Sequence, residues 1–581
     1  MAGSNGALYL ILTQVASRGL TFVGNQLLLQ YLSPGHLGLA VQLETLSTSI
    51  LYTARESLRV ALQRRPRDVT VKGKSVSSAH SQSCINAAYL VVPLGSLLAL
   101  LSGSWYFLKV SSEVHTSQDF ELAFGLYAVA TVLELCSEPF FVVALQFEMF
   151  DVRARAETTA SIARCLSACG TAVVMWRQSK SMSVLPYAVG QVCYAMCLLL
   201  VYSVAAVQQA RAEQFSVMLS RIPKTESQEV YYLDSFSKPL LSLAATFYSQ
   251  SVFKWLLTQG DVLVLSFFAD LNDQGIFALA SNYGGLASRL LFQPVEESSR
   301  SKFGRLLAGE RDNKPVPGSE EPTKDKAMMD NESTTQAMSY LARTLHGYLL
   351  LVLVPCISIL PHAFPIMLRL LLGSRSKWSS PQTAALLTAY SYYIPLLAVN
   401  GILDAFLSSV ATKAQLARQS LNMIVVTIIY LAVAYVGMTW LQLGAVSLVY
   451  ANMLNMILRI LYALWFIHHW TGSKSAQKNH TTVSNSIFKD FLRTSSVSWT
   501  LLAAAISINY LLRHPSVTPS RSIYTIRGVD VSELALLAGA AVTITVTALA
   551  TTAERRFLTD SISPFVPVRI RQSFARDRKK D

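Results

Sequence analysis

Apolar residues are grouped along this chain in long runs that are separated by short polar segments. A transmembrane helix needs about 20 consecutive apolar residues, and the sequence contains fourteen runs of about that length. The runs do not alternate with period two, so they predict helices, which satisfy their own backbone hydrogen bonds in lipid, and not barrel strands. The predicted spans are 8–32, 37–60, 85–108, 121–147, 156–176, 183–207, 240–268, 276–295, 339–360, 386–410, 421–440, 443–467, 495–512 and 531–552.

The composition agrees with a membrane protein and excludes an ordinary soluble one. Of the 581 residues, 52% are apolar and only 14% are charged, whereas soluble domains carry about 25% charged residues. The mean hydropathy is +0.37. The first apolar run has no basic residues before it and no small-residue cleavage site, so we expect it to remain as a span. We therefore predict an all-α integral membrane protein with about fourteen transmembrane helices.

Basic residues are distributed unevenly among the predicted loops. If both termini are cytosolic, that side of the membrane holds 33 of the 49 Lys and Arg residues, and the opposite loops hold nine. Basic loops are retained in the cytosol, so we expect a multi-pass protein with both ends there. The same distribution explains the net charge of +14 without nucleic acid, because the basic residues are scattered and form no recognition motif.

The chain contains few candidates for metal binding or catalysis. Its seven Cys lie in apolar runs or at their edges, where ordinary packing explains them. The segment Gly73-Lys74-Ser75 resembles the end of a phosphate-binding loop, but Asp68 occupies the position of the first glycine of that motif. We therefore predict no metal site, no cofactor and no catalytic residues.

Polar residues inside four of the predicted spans form stripes at helical spacing. A Lys or Arg at the centre of a span costs about 2.5–3.5 kcal/mol on insertion scales, so each needs a partner or a wet cavity. Steps of three and four place each stripe on one helix face, which cannot meet lipid. The stripes are Gln14, Arg18, Thr21 and Asn25; Glu44, Thr48, Tyr52, Arg55 and Arg59; Gln250, Lys254, Thr258 and Asp261; and Asn282, Gly285, Arg289, Gln293 and Glu296.

The stripes repeat along the chain with two offsets, 236 residues for the first and third stripes and 241 residues for the second and fourth. The shorter offset carries Arg18 onto Lys254, and the longer one carries Glu56 onto Glu297. Six spans separate the copies, so we expect two lobes related by a pseudo-twofold axis along the membrane normal, around a central cavity. The predicted parts are an N-lobe at 1–238 (spans 1–6), a C-lobe at 239–470 (spans 7–12, with a flexible cytosolic linker at about 305–336), and a C-terminal part at 471–581 that holds a polar loop, spans 13 and 14 and a basic cytosolic tail.

A cavity lined by these stripes would be basic, which implies an anionic ligand. The planar guanidinium of Arg can bind two oxygens of a phosphate or diphosphate at once. The alternative is that the stripes form buried interhelical pairs that serve assembly alone. The candidates for contacting a diphosphate are Arg18, Arg55, Arg59, Lys254 and Arg289, and the other polar cavity residues are Gln14, Asn25, Glu44, Gln250, Asp261, Asn282, Gln293 and Glu296.

Four segments carry a family resemblance: LNDQGIFALASNYGGLASRLLFQPVEES (271–298), YTARESLR (52–59), SEPFF (137–141) and RARAE (153–157). They are similar to the eukaryotic Rft family of endoplasmic-reticulum membrane proteins, within the multidrug/oligosaccharidyl-lipid/polysaccharide exporter superfamily. Gly285 departs from the Ser that is usual at its position. The resemblance implies fourteen helices, two six-helix lobes, and movement of a dolichol-diphosphate-linked oligosaccharide from the cytosolic to the lumenal leaflet for protein N-glycosylation.

Four mechanisms remain open for such a protein. The first is a non-enzymatic flippase, in which the basic stripes hold the diphosphate, the glycan occupies a wet cavity and the dolichol tail stays in membrane lipid. The second is a dolichol-dependent glycosyltransferase that uses Asp119 and Glu121 near a lumenal helix end. The third is an accessory protein that binds the lipid without moving it. The fourth is ion-coupled export of small cations, for which the acidic residues of the stripes are outnumbered.

Overall fold

A computed structural model describes most of the chain, and nearly all of the described residues are helical. The chain divides into two compact units, Met1–Ala278 and Leu279–Asp581. The described residues are 23–64, 77–110, 112–147, 149–178, 182–213, 215–222, 231–307, 324–373, 377–476, 499–513, 525–526 and 529–550, and for some helical residues within these ranges only the backbone is described.

The N-terminal unit is a helical bundle with one short hairpin. Helix α8 packs along α9, α10 packs along α2, and α6 contacts α2, α4 and α9. Strands β1 and β2 pair in antiparallel register between α9 and α10. The elements are α1 (23–31), α2 (Pro34–Arg64), α3 (Ser77–Tyr89), α4 (Val91–Lys109), α5 (Ser112–His115), α6 (Phe120–Cys136), α7 (Glu138–Gln146), α8 (Phe150–Arg177), α9 (Leu185–Glu213), β1 (Tyr231–Tyr232), β2 (Phe236–Ser237), α10 (Lys238–Phe268) and α11 (Leu271–Ala287), the last of which ends in the other unit.

The C-terminal unit is also built from helices. Helix α16 is its central element, since α12, α13, α15 and α18 all pack against it. The elements are α12 (Gln293–Leu307), α13 (Lys324–Tyr348), α14 (Val354–Ser358), α15 (Leu360–Leu372), α16 (Pro381–Val410), α17 (Lys413–Thr439), α18 (Val446–Ala476), α19 (Trp499–Arg513), β3 (Thr525–Ile526), β4 (Val529–Asp530) and α20 (Val531–Ala550).

The helices match the membrane class that the sequence predicts. In the described part of the chain, nine helices are long and apolar enough to cross a membrane. The prediction of a helical, multi-pass membrane protein is therefore confirmed. Residues 8–22 of the first predicted span and 308–323 of the predicted linker lie outside the described residues. The count of fourteen spans and the two-lobe layout stay predictions.

Several predicted spans are interrupted, and one helix was not expected. Leu90 separates α3 from α4, and Ser137 separates α6 from α7, where Pro139 occupies the first turn and has no N–H to donate. Short π-helical segments join α11 to α12 and α13 to α14. Helix α15 lies between predicted spans 9 and 10, and at 13 residues it is too short to cross a bilayer.

Apolar residues at helical spacing form the core of the N-terminal unit. On α2 they recur in steps of three and four, which places them on one face of the helix. This face packs against α3, α7 and α10, and the same interface brings the polar residues of α2 close to α6 and α7. One core cluster contains Leu51, Ala54, Leu58, Ala61, Leu62, Cys84, Ala87, Ala88, Val91, Leu135, Val142, Leu240 and Phe247.

Two glycines allow α2 and α11 to approach closely at their N-terminal ends. A methyl group at Gly38 would overlap the carbonyl oxygen of Leu271, and one at Gly275 would overlap the carbonyl oxygen of Pro34. Glycine is suited to such a contact because it has no Cβ. The close approach of the two backbones therefore explains why both positions hold glycine.

We expect Gly38→Ala to destabilise the N-terminal unit by about 1–3 kcal/mol, because the added methyl must push two backbones apart. The measurement is the thermal midpoint of the purified protein in detergent. It is obtained from the amount of folded protein that fluorescence detects on a size-exclusion column after heating. Gly170→Ala is the matched control, since a Cβ there meets nothing within 4 Å. Equal midpoints for the two variants would contradict the close approach.

Candidate functional site

Two arginines of α2 face two glutamates on α6 and α7. The Nη1 of Arg55 donates to Oε1 of Glu134 at 3.0 Å and lies 3.8 Å from Oε2 of Glu138. Arg59 donates from Nε and Nη2 to the two carboxylate oxygens of Glu138, both at 2.6 Å. Arg55 and Arg59 are four residues apart on α2, so they lie along one side of that helix. Glu134 and Glu138 are also four residues apart and flank the break between α6 and α7. We refer to Arg55, Arg59, Glu134 and Glu138 as the four-residue charge cluster.

Burial and partners differ within the four-residue charge cluster. The side chains of Glu138 and Glu134 are 0% and 8% exposed, whereas those of Arg55 and Arg59 are 20% and 21% exposed. Arg59 uses its planar fork on Glu138, and its Cζ lies 3.9 Å from the ring centroid of Phe141. Arg55 makes one side-chain hydrogen bond within the described part of the chain. Arg59 is thus held on several sides, and Arg55 is held through one nitrogen.

A second ion pair joins α8 to α2. Arg164 donates from Nη2 to Oε2 of Glu44 at 2.9 Å, and both side chains are about one-third exposed. Tyr127 and Tyr187 interact electrostatically with this pair. Arg164 is the one basic residue of the predicted fifth span (156–176), and its pairing with Glu44 explains how that span carries the charge.

These pairs alter the charge balance that the sequence suggests for the N-terminal unit. Arg55, Arg59 and Arg164 are matched by three carboxylates, those of Glu44, Glu134 and Glu138. The excess of positive charge that was expected for the stripe of α2 is therefore balanced by partners from neighbouring helices. Mutual neutralisation of this kind is what an assembly role requires.

The remaining residues of the predicted site fall into three groups. Asn25, Asn282 and Gln293 are exposed in the structure. Gln14 and Arg18 lie outside the described residues, and the side chains of Gln250, Lys254, Asp261 and Arg289 do so as well. Their roles in binding a diphosphate stay predictions.

Glu296 lies in the C-terminal unit, where its carboxylate rests against the backbone of α16. A methyl group at Gly401 would overlap Oε1 of Glu296. One turn further along α16, Asp404 accepts a hydrogen bond of 2.6 Å from Gln419. Arg300, one turn after Glu296 on α12, and Asp404 both interact electrostatically with this carboxylate. The absence of a side chain at Gly401 is what lets Glu296 occupy this position.

We expect Gly401→Ala to destabilise the C-terminal unit by about 1–3 kcal/mol, because the methyl displaces the Glu296 carboxylate from its contact with α16. Gly304→Ala, where a Cβ meets nothing within 4 Å, is the control for a helical glycine in the same unit. Adding Glu296→Ala to Gly401→Ala should raise the thermal midpoint again, since it restores the space. A double variant that is no more stable than Gly401→Ala would contradict this explanation.

The guanidinium groups of these ion pairs have the geometry to bind an anion. Among the described residues, no three His, Cys, Asp or Glu side chains converge as metal ligands, and the seven Cys are free. Arg55 and Arg164 each donate to a carboxylate through one nitrogen, and both side chains are partly exposed. A phosphate could compete with a carboxylate for either of them, because Arg binds both anions in the same geometry.

Sequence reasoning missed Glu134 and Glu138 as members of the site. The signal was present, because two carboxylates four residues apart inside an apolar run are as costly in lipid as the arginines of the stripes. Their spacing matches that of Arg55 and Arg59, which are also four residues apart. The sequence does not indicate which helices pair, and the fold supplies that information.

Comparisons with known proteins identify the family. The family described as Rft protein matches residues 3–563. Two relatives, both called Man(5)GlcNAc(2)-PP-dolichol translocation protein RFT1, come from Yarrowia lipolytica and Candida albicans. The first is 33% identical, with 82% of this chain and 71% of the relative covered; the second is 30% identical, with 85% of each covered.

Among solved structures, the lipid II flippase MurJ in an inward closed conformation resembles this chain in fold. The TM-score is 0.52 at 12% sequence identity, with 94% of this chain and 99% of that chain covered. At this identity the likeness concerns the helical fold alone. The match along almost the whole sequence identifies the family, and the chain belongs to the Rft family of membrane proteins.

Proposed function

We propose that this protein translocates a dolichol-diphosphate-linked oligosaccharide from the cytosolic to the lumenal leaflet of the endoplasmic-reticulum membrane, for use in protein N-glycosylation. The observation that carries the proposal is the family membership, together with the relatives' names, which describe translocation of Man5GlcNAc2-PP-dolichol and not glycosyl transfer. The nine helices able to cross a membrane, counted over the described residues, agree with a transporter. The excess of basic residues in the loops on one side supports cytosolic termini.

Within this function, Arg55 is our candidate for the first contact with the diphosphate. Its side chain is 20% exposed and its guanidinium is bonded to Glu134 through one nitrogen, so other donors can turn toward an anion. Glu134 neutralises Arg55 when no substrate is bound, which removes the cost of an unpaired charge in a buried setting. An arriving diphosphate then competes with Glu134 for the N–H donors of Arg55.

Arg59 has a different role in the proposal. Its fork is occupied by Glu138, which is fully buried, and Phe141 covers the guanidinium. These partners favour a structural role, in which Arg59 holds α2 against α7 and so positions Arg55 one turn away. We propose Arg55 as the anion contact and Arg59 as the residue that positions it.

The physical purpose of such a contact is to lower the cost of moving charge through the membrane. A phosphate that leaves water without a partner loses its hydration, and several kcal/mol or more are lost for each uncompensated ion. A guanidinium that donates to the phosphate oxygens offsets part of this cost. The dolichol tail needs no such help, because it remains soluble in lipid throughout.

We expect liposomes that contain the purified protein to move labelled Man5GlcNAc2-diphosphate-dolichol between leaflets faster than protein-free liposomes. The measurement is the fraction of the label that becomes accessible to an impermeant lectin over time. Binding of the glycolipid by the protein, measured separately, serves as the control for correct folding. Binding without movement would overturn translocation and leave an accessory role in lipid-linked oligosaccharide assembly.

A further inference from the structure

The segment that connects α9 to α10 exposes bulky apolar side chains outside any membrane-spanning helix. Met218 is 75% exposed and Leu233 is 84% exposed, and Leu219 and Tyr232 are exposed as well. Lipid-facing helices are expected to show such side chains, but a connecting segment in water is not. We refer to Met218, Leu219, Tyr232 and Leu233 as the connector patch.

Buried amide side chains of α3 hold this segment in place. Asn86 donates to the carbonyl oxygens of Ser220 and Ser235 at 2.7 and 2.8 Å. Gln82 donates to the carbonyl oxygen of Met218 at 3.0 Å and accepts from the backbone N–H of Ser216 at 3.0 Å. Both amides are almost completely buried. The backbone is therefore tied to the bundle while the side chains of the connector patch stay outside.

The tip of the β1–β2 hairpin has an unusual residue for its backbone conformation. Leu233 and Asp234 both have a positive φ, 53° and 51°. Glycine and asparagine are the residues that favour this conformation in two-residue turns, and a bulky apolar residue there is strained. A Leu that is both strained and exposed contributes nothing to folding in water. It becomes favourable where its side chain can leave water for lipid.

The surroundings of the patch also point to a membrane surface. An apolar stripe on the outer face of α9, formed by Met196, Leu200 and Val204, is exposed along a helix that is long and apolar enough to span the bilayer. Helix α10 begins at Lys238, directly after β2, so the patch lies between α9 and the seventh span that the sequence predicts (240–268). Lys238 is exposed and lies 5.9 Å from the ring centroid of Tyr232. Lys and Tyr of this kind are typical of the interface between lipid and water.

We propose that the connector patch is a membrane-interface anchor, which inserts into the boundary between headgroups and acyl chains. Its backbone cannot enter the hydrocarbon, because the N–H and C=O groups of a loop would lack hydrogen-bond partners there. Only a helix or a closed barrel satisfies all of these groups internally. The side chains enter, and Lys238 and the exposed Arg221 meet lipid phosphates. The topology proposed above places this anchor in the cytosolic leaflet. The anchor itself depends on neither the substrate nor the transport activity.

The test uses spin labels on the full-length protein in liposomes. Cysteine replaces Met218, Leu233 or, as the matched control, the exposed polar Ser216 of the same segment, in a chain whose seven native cysteines are changed to Ala. Collisions of each label with lipid-soluble oxygen and with an aqueous nickel chelate are then measured. We expect the ratio of oxygen to nickel collisions to be about threefold or more higher at 218 and 233 than at 216. Equal ratios at the three positions would overturn the proposal.

Two further measurements keep the result unambiguous. Leu233→Asn suits the left-handed backbone, so it should leave the thermal midpoint in detergent unchanged or higher, while it lowers the oxygen-to-nickel ratio at a label on 218 in liposomes. A lower midpoint in detergent, with an unchanged ratio in liposomes, would assign Leu233 to folding and overturn the anchor. The labels at 218 and 233 can also be compared in native microsomes. Shielding of these labels from the nickel chelate in microsomes, but not in liposomes of the purified protein, would assign the patch to a protein partner.

Discussion

Arg59→Gln is expected to lower the stability of the folded protein by about 3–5 kcal/mol, the range found when one partner of a buried ion pair is removed. The reason is the environment of Glu138, whose side chain is 0% exposed and receives two hydrogen bonds from Arg59. Arg55 remains at 3.8 Å from this carboxylate, which is too far for a good hydrogen bond. Without Arg59, the buried carboxylate of Glu138 either becomes protonated or gains water through separation of α2 from α7.

The abundance of Arg59→Gln in membranes and its thermal midpoint in detergent are the measurements. Arg155→Gln is the matched control, because Arg155 pairs with Asp151 at the same distance of 2.6 Å but both side chains are about two-thirds exposed. Exposed pairs contribute about 0–1 kcal/mol, so this variant should behave like the wild type. The double variant Arg59→Gln with Glu138→Gln should regain most of the lost stability. If the single variant is as stable as the control, the structural role of Arg59 is wrong.

Arg55 and Glu134 allow the anion contact to be separated from assembly. Arg55→Gln is expected to reduce both abundance and translocation, because it leaves Glu134 without its hydrogen bond in a site that is 8% exposed. Glu134→Gln releases Arg55 without burying an unpaired anion, so translocation should be retained.

The double variant Arg55→Gln with Glu134→Gln is the decisive one. It has no unpaired charge, so abundance should return toward the wild-type level. The translocation rate should remain about tenfold or more below that of the wild type. The reason is that a charge-assisted hydrogen bond to the diphosphate, worth about 1.5–3 kcal/mol, is missing. Rates are measured per folded molecule in liposomes. Full recovery of translocation in the double variant would mean that Arg55 serves assembly alone.

The sequence alone determined the class of this protein and its family. Long apolar runs, few charges and the asymmetry of basic loops predict a helical multi-pass membrane protein, because each span must satisfy its backbone within lipid and this requirement acts residue by residue. Polar stripes on single helix faces could be found in the same way, since helical spacing is a local property. The stripe that contains Glu44, Arg55 and Arg59 was identified on this basis.

Which helices meet was decided only by the tertiary structure. Arg55 could have faced a ligand or a glutamate, and the packing of α2 on α6 and α7 brought it to Glu134, 79 residues away. The packing of α2 against α11 placed Gly38 against Leu271, and the packing of α12 against α16 placed the Glu296 carboxylate against Gly401. Interhelical partners depend on the register and rotation of whole helices, which result from many small apolar contacts summed over the bundle. No single residue in the sequence carries that sum, and so the partner of each buried charge becomes visible only when the helices are packed.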